Sequence, residues 1–539
     1  MKKERFLIRN TIGLAIALIA VSCRSTDTEN ALNGNGISAV SFNLLGTEYA
    51  DSGKLSGQAS LERGSIINPA NEIQRHSILV TPSNVITAEL SPSSETPKVL
   101  ANASSGINST AAISGNPLAP GIKFRVIAYR SNGAYHTHQD YTVGQPAIPM
   151  MLDNGAAYTI IVYSYGVSSL PDISSDEQST AANALNIASV NYNNTNRDFM
   201  YQKIPFVPVN ANNILSITLR HKVAQITTIV NSAGLGNITN ITGGVLTPHY
   251  SNGVIPLSSG VMTGRTTITG GVPLSFSGLN TTTSTAAPVF VNTDTRGNAT
   301  GGFSANITIA GITKTISLPN SFKVTPENKS NLTINLSICG AYVGPSTNPA
   351  NYKEFMCHNL GADTAADPLV ASAAVHGAKY KWGANTNEIG SYYSQKDDQA
   401  NSDDIPGWNT VPPKPDGSWS DNSNINNPCP SGYRVPTGDQ WQAVTRNNKV
   451  ERVGSWVDNG NYTSALYVIN PSNVRTLMFP AAGFRRSSGS MGGRGYYGYY
   501  WSSTGVSSDK ATRMHFHNIT WYTADMPRTE AYSVRCIAE

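Results

Sequence analysis

The sequence predicts a mainly β chain, a series of β-sandwiches closed by an irregular, disulfide-stapled α+β domain. Three observations predict it. Short apolar-alternating segments separated by Gly, Pro, Asn and Ser clusters run from residue 37 to residue 335, and such spacing is that of strands and turns in sandwiches. Charged residues make up only 13% of the chain, against roughly a quarter in average domains, with Ser, Thr, Asn and Gly in their place. All seven tryptophans, and every cysteine except Cys23, fall after residue 338. That shift marks a boundary between a Trp-free region and a compact Trp-rich one. At 539 residues, roughly two to four domains are expected.

The N-terminus reads as an export signal over residues 1–22. Lys2, Lys3, Arg5 and Arg9 precede the apolar run Ile12 to Val21, and Ser22 and Cys23 follow. A positive head, a short apolar segment and a small residue describe a secretory signal. The run is too short to cross a hydrocarbon core of about 30 Å. A cysteine directly after the small residue resembles a lipobox, with Ala20 where that motif usually carries Leu. The resemblance implies lipidation of Cys23 and attachment to the outer membrane. The alternative is an ordinary signal peptide with an incidental cysteine. The formal net charge is +4 with scattered basic residues, so no Lys/Arg run tracks a phosphate backbone and nucleic acid is not an expected partner.

The strand signals follow in order. Ile37–Leu45, Phe124–Tyr129, Tyr158–Tyr165, Ile214–Leu219 and Ala224–Val230 are short apolar-alternating segments, and Tyr158–Tyr165 is rich in β-branched and aromatic residues, which suit a pleated surface. In Lys123-Phe124-Arg125-Val126, apolar and charged side chains alternate, which predicts one face in a core and one in water. A break near Asn210 suggests two sandwiches in series. His221 sits between two strand-like runs with no acid or cysteine nearby in sequence, so a structural histidine is expected rather than a metal or catalytic site. His136 and His138, one residue apart on a polar loop or strand, are expected to be a solvated pair rather than a two-ligand metal site.

Phe124-Arg-Val-Ile-Ala-Tyr129, Asp153-Asn-Gly155 leading to Tyr158-Thr-Ile-Ile-Val-Tyr-Ser164, and Arg220-His-Lys-Val-Ala-Gln225 together resemble the Bacteroidetes fimbrillin superfamily. The resemblance covers residues 36 to 335 and implies two transthyretin-like β-sandwich domains used as fimbrial subunits. It also implies a mechanism: export as a lipoprotein, cleavage by an Arg- or Lys-specific protease after the first strand, and replacement of that strand by a donor strand from a neighbouring subunit. Ile37–Leu45 matches the first strand. A polar, Gly-containing stretch follows, open to proteases, and cleavage is expected after Arg63, with Lys54 and Arg75 as rivals. The expected division is a propeptide over 23–63, sandwiches over 64–209 and 210–337, and a last domain over 338–539.

In that last domain Thr437 with Gln440 three residues on reads as a capping box opening a helix, with Trp441 and Val444 turned to the core. Four cysteines in an exported domain suggest two disulfides. Three pairings are possible; Cys339–Cys357 with Cys429–Cys536 is the pairing expected here, and free buried thiols are the alternative. No CxxC pair is present, so no zinc site is expected. Asp403 with Asp404, and Asp416 with Asp421 and Asn422, lack a calcium-loop pattern and read as polar loops. Gly492-Gly-Arg494-Gly-Tyr496-Tyr497-Gly-Tyr499-Tyr500 has two open readings. One is a ligand surface formed by Arg494, Tyr496, Tyr497 and Tyr499, since Tyr and Gly suit adaptable binding loops. The other is a glycine-bent strand pair inside the fold.

Lys353-Glu-Phe-Met-Cys-His-Asn-Leu-Gly361, Tyr380-Lys-Trp-Gly383, Pro428-Cys-Pro-Ser-Gly-Tyr-Arg-Val-Pro-Thr437, Phe479-Pro-Ala-Ala-Gly-Phe-Arg485 and Ser533-Val-Arg-Cys-Ile537 resemble the Fibrobacter succinogenes major paralogous domain. The resemblance implies an α+β fold related to C-type-lectin-like and formylglycine-generating-enzyme-like domains, and those relatives include both binders and an enzyme, so activity must be argued from a site. No catalytic residue, cofactor or metal is expected. A last domain pinned by Cys536 suits a subunit that does not pass a strand onward. The expected function is therefore a fimbrial tip or accessory subunit at the cell surface, similar to those of the Porphyromonas type. Its partners would be other fimbrial subunits and a host or bacterial surface ligand. The alternative is a surface-anchored glycan- or protein-binding lipoprotein outside any fimbria.

Overall fold

The computed structural model describes residues 36–50, 73–93, 115–209, 211–419 and 426–539. The signal segment, Cys23, Lys54 and Arg63 lie outside these residues.

The fold is mainly β, as the alternating segments predict. The first sheet has seven strands. They are β1 (Ile37–Glu48), β4 (Lys123–Arg130), β5 (Tyr135–Thr142), β6 (Met150–Asp153), β7 (Tyr158–Ser164), β8 (Met200–Phe206) and β9 (Asn212–His221), in the order β5-β4-β7-β8-β9-β1-β6. The sheet rolls over its own core: the Phe42 ring of β1 meets the Tyr141 ring of β5 edge-on at 5.5 Å, although four strands separate β1 from β5 in the sheet. Period-two alternation sends Phe124, Val126 and Ala128 into this core. It sends Ile127 and Tyr129 into a second cluster on the opposite face, with Leu185, Val190, Ile255 and Leu257. Both faces are therefore covered, and here the expectation of a charged, solvated face fails. Arg125 is buried and is held by Asp140 through two bonds of 2.7 and 2.8 Å and by the Tyr163 hydroxyl at 3.0 Å.

The second region is a two-layer arrangement. One sheet carries β2 (Gln74–Thr81), β3 (Asn84–Pro92), β10 (Ala224–Asn231) and β14 (Lys329–Ile338), in the order β10-β14-β3-β2. The other carries β11 (Ile238–Thr247), β12 (Gly301–Ile309) and β13 (Ile312–Phe322) in consecutive order. Leu90, Ile226, Leu332 and Ile334 from the first pack against Leu246, Phe303, Ile307 and Leu318 from the second.

Hydrogen bonding crosses the chain division expected at residue 210. β9 lies beyond that point yet completes the first sheet, while β2 and β3 lie before it yet belong to the second region. The physical reason is that alternation reports which residues are buried, not which distant strand they pair with.

The last region is irregular, with short strands and, among the described residues, two α-helices, α1 (Gln395–Ala400) and α2 (Gly438–Asn447). α2 opens with the capping box of Thr437 and Gln440, and Trp441 and Val444 are fully buried. Its main sheet includes β15 (Ala482–Arg485), β16 (Met491–Arg494), β17 (Gly498–Ser507), β18 (Lys510–Phe516), β19 (Trp521–Pro527) and β20 (Ala531–Tyr532), with β20-β15-β17-β18-β19 adjacent in that order and β16 paired to β15. Cys339 is bonded to Cys357, and Cys429 to Cys536.

Candidate functional site

Two places combine exposure, chemistry and position: the seat of β1 and one face of the last sheet.

β1 runs parallel to β9, from Ala39 opposite Asn212 to Glu48 opposite Arg220. It runs antiparallel to β6, from Ile37 opposite Asp153 to Val40 opposite Met150. It is thus an inner strand that fills a slot between two others. Val40 and Phe42 enter the core, and each such burial stabilises by roughly 1.5–3 kcal/mol. The register shifts between Leu44 and Gly46. Gly46 has φ +125°, and a Cβ there would lie 2.5 Å from the Asn116 carbonyl oxygen, so this bulge requires glycine. Beyond it Tyr49 stacks on His221 at 4.1 Å, and the Ala50 amide donates to the Glu327 carbonyl at 2.9 Å. His221 is structural here, as its sequence surroundings suggest, but an acid does adjoin it: Nδ1 lies 2.5 Å from Asp198 Oδ1. Lys222 pairs with Glu327. The end of β1 is therefore anchored where the first sheet meets the second region. Residues 51–72, which follow, lie outside the described residues. The rival cleavage residue Arg75 is inside β2 and ion-paired to Asp367 at 2.5 Å.

The Gly/Tyr segment of the last domain runs through β16, a glycine turn and the start of β17, with Gly493 and Gly495 at φ +67° and +87°; each of the two strands pairs with β15 and not with the other. Alternation along β17 sends Tyr500 into the core beside Trp441, Phe479 and Phe516 and Tyr499 into a second core with Trp501 and Tyr532, against which Tyr497 packs from before the strand; Phe484 stacks on the Tyr499 ring at 4.6 Å. Cross-strand register continues the Tyr499 face: Tyr499 lies opposite His515, and His515 opposite Tyr522. The Tyr499 and Tyr522 rings meet His515 edge-on at 4.8 and 4.7 Å, Tyr497 approaches it at 5.5 Å, and Tyr496 stacks on His517 at 5.6 Å. Tyr522 is 44% exposed, whereas His515 is buried.

Two positions along β18, the Arg513 guanidinium lies 3.7 Å from the centre of the Tyr499 ring. Neither nitrogen of His515, nor Nε and Nη1 of Arg513, has a hydrogen-bond partner among the described residues. Burial, helped by Arg513 and His517, lowers the His515 pKa to about 3. Glu530, next to β20, is pushed up by burial and accepts from the Tyr532 hydroxyl.

The structure separates the residues expected to form the ligand surface. Tyr496, Tyr497 and Tyr499 come together, but Arg494 does not join them. It is buried and donates to Asp398 Oδ2 at 3.1 Å. Arg485 meets Asp398 Oδ1 at 2.8 Å and Lys379 approaches Oδ2 at 3.6 Å, so one carboxylate gathers three cations. The reason is the turn at Gly495, which reverses the side-chain direction between Arg494 and the tyrosines. Sequence reasoning missed Arg513, His515 and His517, although Arg513-Met-His515-Phe-His517 alternates polar and core residues at the strand period.

The remaining candidates resolve locally. Asp416 pairs with Arg528, and Asp404 accepts from Ser488 at 2.6 Å; Asp421 and Asn422 lie outside the described residues. His136 meets the Arg130 guanidinium at 3.0 Å and His138 the Tyr135 hydroxyl at 2.7 Å. No group of three or more His, Cys, Asp or Glu among the described residues is arranged to hold a metal ion.

Residues 337–538 match the family model described as the Fibrobacter succinogenes major domain. No curated protein matches the chain. Among solved structures, a candidate cell adhesion protein from Bacteroides fragilis is 11% identical, covers 55% of this chain and 93% of its own, and gives a TM-score of 0.31. A candidate cell adhesion protein from Bacteroides uniformis is 14% identical, with 40% and 86% covered and a TM-score of 0.27. A fimbrial assembly protein from Parabacteroides distasonis is 10% identical, with 40% and 87% covered and a TM-score of 0.25. Scores this low do not establish a shared fold.

Proposed function

We propose that this chain is an accessory or tip subunit of a surface fimbria. It would be exported as a lipoprotein through Cys23, cut after Arg63, and joined to a neighbour by donor-strand exchange, with the last domain serving adhesion. The observation that carries the proposal is the seat of β1. An N-terminal strand fills a slot between β9 and β6, with Val40 and Phe42 in the core. Its loss would leave an apolar groove flanked by two strands with unpaired backbone groups, which is the surface that strand addition uses. Residues 537–538 pair with Tyr433 and Arg434, and Cys536 is disulfide-bonded, so this stretch is held in the fold rather than free to act as a donor. Organisation of the Porphyromonas type, and transthyretin-like architecture for the two β regions, belong to the same proposal.

The test is the N-terminus of the mature, fimbria-associated chain. A start at Gly64 is expected. Replacing Arg63 by Gln should leave the chain uncut and absent from purified fimbriae. A mature chain that still begins at Cys23, and does not co-purify with fimbriae, would leave a surface lipoprotein instead.

A further inference from the structure

We propose that the face at Tyr497 and Tyr522, floored by the buried Tyr499, His515 and Arg513, binds a pyranose ring carrying a carboxylate; this rests on the adhesive role proposed above for the last domain.

The argument starts from the rings. Tyr499, His515 and Tyr522 form a cross-strand ladder in register, and Tyr522 keeps 44% of its surface exposed. A pyranose presents C–H groups on one face, which pack onto an aromatic ring, and acceptor oxygens at its rim. Tyrosine suits such a surface because it offers a large amphipathic area at low entropic cost. The second observation is the set of orphaned polar atoms beneath. His515 and Arg513 are 5% and 4% exposed, yet two nitrogens of each lack a partner among the described residues, and Thr520 Oγ1 at the start of β19 is unpartnered too. Buried polar groups are normally satisfied, and leaving one without a partner is destabilising. A sugar satisfies them together: its oxygens accept from Arg513, Thr520 and the single N–H of the neutral His515 ring, and one of its hydroxyls donates to the other ring nitrogen.

The third observation decides the charge. Arg513 forms no ion pair among the described residues; its positive charge is held by the Tyr499 and Tyr532 rings at 3.7 and 5.6 Å. The acid beside it, Glu530, is engaged by the Tyr532 hydroxyl. Arg486 lies over Phe484 on the same side, 5.5 Å from the ring centre. The face is thus aromatic, with the guanidiniums of Arg513 and Arg486 set against the one carboxylate of Glu530, and this excess of positive charge favours an acidic sugar over a neutral one and over an apolar peptide.

Binding of methyl glucuronide, N-acetylneuraminic acid and methyl glucoside to the full chain, followed by calorimetry and tyrosine and histidine proton shifts, tests this. At least one acid should bind saturably, and the neutral glucoside about tenfold or more weaker. Tyr522→Ala, at an exposed position, should weaken the acid by about tenfold without altering the fold by circular dichroism. Arg513→Gln should remove the preference for acid. Saturable binding of neither acid, equal binding of the glucoside, or affinity untouched by Tyr522→Ala overturns the proposal. Fimbriae from the same strains separate the two readings. A chain that co-purifies with fimbriae but binds no acid defeats only the sugar inference. One that binds the acid but never associates with fimbriae defeats only the subunit reading.

Discussion

At the scale of single residues, the buried cationic groups give the clearest expectations. Folding lowers the His515 pKa to about 3 and that of His249 to about 4, in both cases mainly through burial. The unfolded chain, with histidines near 6.5, therefore binds protons that the folded chain refuses. The stability these neutral histidines allow is full above about pH 6.5 and falls as the pH drops toward 4. Each histidine can contribute at most about 1.4 kcal/mol per pH unit to that fall. Urea unfolding followed between pH 7 and 4 should show the decline, and His515→Gln should make it shallower while leaving the value at pH 7 closer to the parent. Asp398 is the opposite case. It holds Arg485, Arg494 and Lys379 with almost no exposure of its own, so Asp398→Asn strands three buried cations. A loss of about 3–5 kcal/mol is expected in the same urea measurement, larger than for Glu451→Gln, whose ion pair with Arg475 is exposed.

At the scale of elements, the tip of the β2–β3 hairpin is the joint between the second region and the last domain. The Cys339 and Cys357 amides donate to the Ser83 and Pro82 carbonyls at 2.7 Å each, Ser83 Oγ donates to Glu354 at 2.5 Å, and Val85 lies in the last domain's core. The disulfides act at different ranges, with sequence separations of 18 and 107 residues. In the chain-entropy picture the longer loop matters more, about 5 against about 3 kcal/mol. Denaturant unfolding of Cys429→Ser/Cys536→Ser should therefore show the greater loss, while Cys339→Ser/Cys357→Ser should chiefly loosen the joint and split one transition into two.

These elements also show how far the sequence reaches. Strand positions were legible because alternation at period two is local, and the α2 cap was legible because Thr437 and Gln440 are three residues apart. The partner of β3, more than two hundred residues away in β14, was not, because burial patterns carry no address. The ligand face was half legible. Its tyrosines are adjacent in sequence, but Arg513, His515 and Tyr522 join them only through register, and Arg494 leaves through a glycine turn that composition does not reveal.

At the scale of the whole molecule, the proposed life of the protein requires that β1 can leave without dissolving what remains. The structure supplies a way to watch this, because all seven tryptophans lie in the last domain whereas the first sheet holds tyrosines. The last domain has its own cores, built around Trp441, Phe479 and Tyr500 and around Trp382, Trp501 and Tyr532, and β1 contributes no residue to either. A chain lacking residues 1–50 should therefore keep its tryptophan fluorescence while its first sheet becomes susceptible to protease. A synthetic peptide of residues 36–50 should re-enter the slot between β9 and β6 and restore protection, because it regains Val40, Phe42 and the Tyr49 stack on His221 together. The same peptide with Phe42→Asp should not, since a carboxylate would then enter an apolar core at a cost of several kcal/mol. If tryptophan emission shifts on deletion, the domains are coupled and strand loss cannot be an assembly step. If the native peptide fails to protect, the slot closes once emptied, and a neighbour's strand has nowhere to go.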